Sequence, residues 1–180
     1  MSKNKKSLKW ILLVLFVCGA AFLLTRQRQI VGVDQIGVVV SPGGRIAVYQ
    51  AGESPLVLPM IQRYVRLTAK PIRYELTDGK SLAIDRPNQA PVKIGCQVRY
   101  QVADAARLVA SQGTEAPQAA IEALLLQQLT KQISAALQPE GASLDDVQTR
   151  VMLVGDLHQN LKQTLAPFGI EFLSFDLFSW

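Results

Sequence analysis

Histidine, cysteine and charge are all scarce in this sequence, and each scarcity removes a class of function. One histidine, His158, is the whole imidazole supply, and no second His or Cys stands near it, so a multi-ligand zinc or copper centre has too few donors. His158 falls on an apolar helical pattern and reads as a core or edge residue rather than a base. The two cysteines are Cys18, inside the longest apolar run, and Cys96, alone beyond it, which leaves the remaining chain without an internal disulfide. Charged residues are 18% of the chain, and from residue 26 onward fifteen Lys and Arg face fourteen Asp and Glu. The formal net charge of +5 therefore comes mainly from four lysines in the first nine residues and leaves no basic footprint for nucleic acid.

Catalytic signatures are equally thin. Neither a Gly-x-Ser-x-Gly elbow nor a Gly-x-Gly-x-x-Gly fingerprint occurs. Gly79-Lys80-Ser81 has the ending of a phosphate loop, but Tyr74 occupies the place of its first glycine and no helical pattern follows. Asp145 and Asp146 are neighbours, hence about 100° apart on a helix, and suit a helix N-terminus better than acid–base work. These gaps predict a non-enzyme that needs no cofactor and no metal. The one catalytic alternative is an exported hydrolase or ligand-binding enzyme whose pocket gathers Asp156, His158 and Glu171.

What the chain has in abundance is a charge-free stretch from Trp10 to Leu24, ten of whose residues are Leu, Ile, Val or Phe. At about −0.3 to −0.6 kcal/mol each, those ten favour insertion by roughly 3 to 6 kcal/mol. A helix from Leu8 to Thr25 would rise about 27 Å, a little short of a hydrocarbon core of about 30 Å. Lys9 and Arg26 can close that gap by reaching their charges to the headgroups, with Trp10 at one interface and Leu15 and Leu24 in the lipid. The expectation is a cytoplasmic basic tail (1–9), a transmembrane helix (10–25), and all later residues on the outer side of the membrane, because Lys3, Lys5, Lys6 and Lys9 outnumber Arg26 and Arg28. The competing reading is a signal peptide cleaved after Gly19-Ala20-Ala21, which would release a soluble envelope adaptor starting at an exposed Phe22-Leu23-Leu24.

Beyond the anchor the patterns predict an α+β domain, a β-rich half (30–104) followed by a helical half with a closing strand (105–180). A β-branched strand runs from Ile30 to Val40, turns at Ser41–Gly44 and returns through Arg45–Tyr49. Mixed extended chain occupies Met60 to Leu76, with turns at Thr77–Lys80 and Arg86–Pro91. Val92, Ile94, Cys96, Val98, Tyr100 and Val102 then alternate with polar or small residues, the pattern of an antiparallel strand wet on one face. Asp104 caps a short helix that breaks near Gln112–Thr114. A longer helix from about Glu115 to Leu137 carries Ile121, Leu125, Leu129 and Ile133 four apart, with Leu124, Leu126 and Leu137 beside them. Ser143 is the expected N-cap of the last helix, whose apolar stripe reads Leu144, Val147, Val151, Val154, His158, Leu161 and Leu165. Pro167 and Gly169 end it, and Ile170–Phe178 reads as a strand apolar on both sides. Arg63, Arg66, Lys70 and Arg73 admit two readings, a solvated strand face or a contact with anionic headgroups.

Several of these stretches together resemble the SPFH or band-7 family, which includes stomatin, prohibitin, flotillin and HflK/HflC. The resemblance lies in the membrane segment leading into Gln35-Ile36-Gly37-Val38-Val39, in Gly52 and Leu58-Pro59-Met60-Ile61, in Asp85 with Val92–Tyr100 and Asp104, and in the closing Phe168-Gly169-Ile170-Glu171-Phe172. It implies a membrane-anchored scaffold that packs laterally, with copies of itself or a longer SPFH protein. It also implies effects on local lipid order or on a membrane-bound AAA protease, as for the prohibitin-like and HflC-like members. Family members usually continue into a coiled coil. This sequence reads as a short member lacking it, so lateral packing rather than a closed cage is the expectation.

Overall fold

The computed structural model describes residues 13–14, 16–19, 27–77, 81–86, 89–138 and 143–179. Their order is β1 (Gln27–Arg28), β2 (Gln35–Val40), β3 (Ile46–Tyr49), β4 (Leu56–Val57), β5 (Arg63–Thr68), β6 (Ile72–Leu76), β7 (Leu82–Arg86) and β8 (Gln89–Val102). Helices α1 (Ala105–Gln112), α2 (Pro117–Leu137) and α3 (Val147–Leu165) follow, then a 3-10 turn (Ala166–Phe168) and β9 (Ile170–Ser179). The α+β expectation holds.

The central strand is β8. Its residues 96–100 pair with β6, 89–94 with β7 and 95–102 with β9, all antiparallel. Ile94, Cys96, Val98 and Tyr100 are buried at period two while Lys93 and Arg99 face water, so the predicted alternation is the one observed. The buried face receives α2 through Ile121, Leu125, Leu129 and Ile133, none of which retains accessible surface. Four such side chains contribute on the order of 6–12 kcal/mol of gross burial, most of it offset by lost chain entropy. Leu126, predicted beside them, is instead 40% exposed, because one residue past Leu125 points about 100° away from the sheet. The helix starts at Pro117, two residues later than expected, since the ring presets φ for the first turn.

Three further expectations are corrected. First, α3 is capped by Asp146, whose carboxylate accepts from the Gln148 and Thr149 amides, while Ser143 closes a turn before it. Those bonds hold the Asp146 carboxyl below its ordinary range, the Thr149 hydroxyl contributing first. Second, the core stripe of α3 is Leu153, Leu157, Leu161 and Leu165, leaving Val147 and Val151 on the surface. A spacing of four drifts about 40° per step, so the buried face rotates away from the three-four stripe along the helix. Third, β9 buries Ile170, Phe172 and Phe175 and exposes Glu171, Asp176 and Phe178, one wet face rather than none. A register shift between Arg99 and Tyr100 inserts an extra residue, which is why the buried positions jump from 172 to 175.

The second sheet has the order β3-β2-β5. Only Gln35–Val40 of the predicted long strand is β2, because the Gln35 amide donates to Gly32 O and turns the chain first. Val38, Val65 and Leu67 join the main core. The register, Gly37 opposite Arg66 and Val39 opposite Tyr64, puts these four on the other face. There the Tyr64 hydroxyl and a Val31 methyl each lie 2.8 Å from where a Cβ on Gly37 would stand, so a larger residue has no room.

Candidate membrane-facing surface

Strand β1 begins two residues after the predicted transmembrane helix (10–25), and its register fixes which turn lies at its Gln27 end. Gln27 pairs with Val57 and Arg28 with Leu56, antiparallel. The chain after Val57 therefore continues beyond the Gln27 end of the ribbon, and the turn it makes lies at the end where β1 begins. The Ile61 and Gln62 amides both donate to Leu58 O, and the Gln62 side chain accepts from the Leu58 amide at 2.9 Å. Gln62 also donates to the Ser41 hydroxyl at 3.1 Å, tying this turn to the end of β2. A rigid turn so built presents Met60 at 87% exposure and Ile61 at 51%, with Leu56 46% exposed alongside. Exposed thioether and aliphatic groups at a chain entry suit insertion into acyl tails.

Of the predicted anchor residues, Lys9, Trp10, Leu15, Leu24 and Arg26 lie outside the described residues. Residues 13–14 and 16–19 are helical, and Leu13, Val14, Phe16 and Val17 are each 52–74% exposed. These four span about half the helix circumference at 100° per residue, and each is exposed. Among the described residues no helix is long and apolar enough to cross a membrane.

A family model for the SPFH domain / Band 7 family matches residues 29–178. The chain belongs to the SPFH/band 7 family. No curated protein matches it.

Within this SPFH domain the four basic residues singled out by sequence do not form one surface. Arg63 and Arg66 are three apart on β5 and so point to opposite faces. The Arg66 guanidinium lies 5.6 Å from the Tyr64 ring centroid and donates to the Gln29 side chain at 2.8 Å. Lys70 pairs with Asp34 at 2.7 Å and Arg73 with Glu75 at 3.3 Å. Of the four, Arg63 alone has no acidic or amide partner among the described residues. That leaves it and Arg28 as the cations flanking the Leu56–Ile61 turn.

The groups required by the hydrolase alternative are not brought together. Asp156 and His158 are about 200° apart around α3. The His158 ring is exposed and sits edge-on to Phe172 at 4.8 Å, while Glu171 is bonded to Gln101 on the opposite face of β9. The Cys96 thiol has no exposed surface and is pushed up to about 11 by burial, which makes it inert. Burial, then the Glu122 charge, also raises the Tyr74 and Tyr100 phenols. No group of three or more His, Cys, Asp or Glu that could hold a metal occurs among the described residues.

The structure also contains a groove of about 480 Å³ between β5 and the start of α2, which the sequence did not signal. Tyr64, Arg66, Glu115, Gln118 and Glu122 line it, and Gln118 donates to Glu122 at 3.1 Å. Its walls hold no thiol or imidazole. The Met60–Ile61 turn was legible only as part of the family resemblance, because a short apolar pair after a proline has no periodicity of its own.

Proposed function

We propose that this SPFH/band 7 chain is a single-pass membrane scaffold without catalytic activity. The Trp10–Leu24 helix anchors it, the Leu56–Ile61 turn rests in the outer leaflet, and the domain packs laterally with copies of itself or a longer SPFH protein. In a bacterial inner membrane with the N-terminus inside, such an array modulates local lipid order or a membrane-bound AAA protease. The observation that supports this reading is the β1–β4 register, which sets the exposed Met60 and Ile61 beyond the Gln27 end of the ribbon, the end at which β1 begins. The absence of convergence among Asp156, His158 and Glu171 supports a non-catalytic role.

Chemical crosslinking in native membranes, followed by identification of neighbours, tests the proposal. Products containing several copies of the chain, or the chain with a protease or SPFH partner, are expected. A chain that stays monomeric in those membranes and after mild detergent extraction, with no envelope partner, would remove the scaffold reading. Alkaline carbonate that released it, or a mature start near Phe22, would remove the anchor.

A further inference from the structure

The N-terminal half of α3 carries apolar side chains that its own fold leaves uncovered. Val147, Val151 and Met152 are 61%, 65% and 63% exposed within two helical turns. Gly155 continues that face one turn on, at the spacing that stacks side chains along a helix. It is exposed, and a Cβ built on it meets nothing within 4 Å outside its own helix. Glycine in mid-helix is less stable than alanine, and here no close approach within the chain requires it. A small residue beside large apolar ones is what a second helix needs to come near.

We propose that this face is a contact between two copies of the chain, their α3 helices packed antiparallel about a two-fold axis. The inference rests on the self-assembly part of the proposed function and names its surface. The charges on α3 select the antiparallel arrangement. Asp145 and Asp146 precede the first turn, and Lys162 is in the last. With Val151 set opposite the second copy's Gly155, each Lys162 falls within one turn of the other copy's Asp145 and Asp146. Two-fold symmetry repeats that pairing at both ends. A parallel pair would set acids on acids and Lys162 on Lys162, and the helix dipoles would add to the repulsion. The antiparallel register also lays Val147 of each copy against the turn that holds His158 and Gln159 of the other.

The test uses the full chain in native membranes, in a Cys18→Ser background so that the buried Cys96 is the only other thiol. Met152→Cys treated with a short bifunctional thiol reagent is expected to give a covalent dimer, and Lys131→Cys on α2 is not. Adding Val151→Glu or Gly155→Leu, both at exposed positions, should cut the dimer at least tenfold while leaving thermal unfolding of the domain within a few degrees. If amine crosslinking shows oligomers but Met152→Cys gives no dimer, the α3 contact is wrong and the scaffold stands. A Met152→Cys adduct with a different protein overturns the contact as well. If neither reagent finds more than one copy, the contact and self-assembly both fall.

Discussion

Gly169 and Asp104 meet where the last strand returns to the start of the helices, and each explains the other. The Ala103 and Asp104 amides both donate to Gly169 O at 2.9 Å, and the Asp104 carboxylate caps α1 by accepting from the Arg107 amide at 3.0 Å. Gly169 sits at φ 74°, and a Cβ there would collide with the Asp104 carbonyl oxygen, which is backbone and cannot swing aside. Asp104→Ala is expected to cost about 1 kcal/mol, the usual loss of a helix cap. Gly169→Ala should cost more, roughly 2 kcal/mol or above, because it adds left-handed strain to a backbone clash. Chemical denaturation of the two variants checks the order.

Cys96 supplies a pH test at the same scale. Its thiol titrates near 9 when exposed and at about 11 in the fold. Below pH 9 both states hold the proton and stability does not depend on it. Between about 9 and 11 the unfolded thiol loses its proton first, so the unfolded state binds fewer protons and stability falls as pH rises. Two units correspond to roughly 2–3 kcal/mol. Cys96→Ala should lower stability at neutral pH through the cavity it leaves, yet flatten the decline between pH 9 and 11, as read by urea unfolding across that window.

At the scale of elements, α2 offers an internal control. Leu129 has no accessible surface, while Leu126 is 40% exposed. Leu129→Ala is expected to cost about 2–5 kcal/mol, and Leu126→Ala well under 1 kcal/mol, measured by denaturant midpoints at constant slope. The contrast also shows what the sequence made legible. The four-residue spacing of Ile121, Leu125, Leu129 and Ile133 and the alternation along β8 were readable because each buries one face against a single layer. The stripe of α3 misled because two registers compete on it. The three-four pattern holds at Leu161 and Leu165, but in the first half of the helix the core takes Leu153 and Leu157 rather than Val147 and Val151. The bulge in β9 and the Asp146 cap depend on partners elsewhere in the chain, which periodicity does not encode.

At the scale of the whole molecule, the β1–β4 ribbon sets one end of the domain. In the proposed arrangement anchor and turn would act together: a membrane helix ahead of β1 would confine Met60 and Ile61 near the headgroups, and their burial would then set the tilt of the domain. In that arrangement the Trp10–Leu24 run would supply most of the binding, so Met60→Asp with Ile61→Asp is expected to leave the chain in the membrane and change only how the domain sits. An environment-sensitive fluorophore on Met60→Cys, in the Cys18→Ser chain reconstituted in vesicles, is expected to emit to the blue of the same probe on Lys131→Cys. Brominated acyl chains should quench the first and spare the second, and Ile61→Asp should weaken the quenching. Equal emission and equal quenching at the two positions would mean that the turn stands in water and that the register argument does not orient the domain.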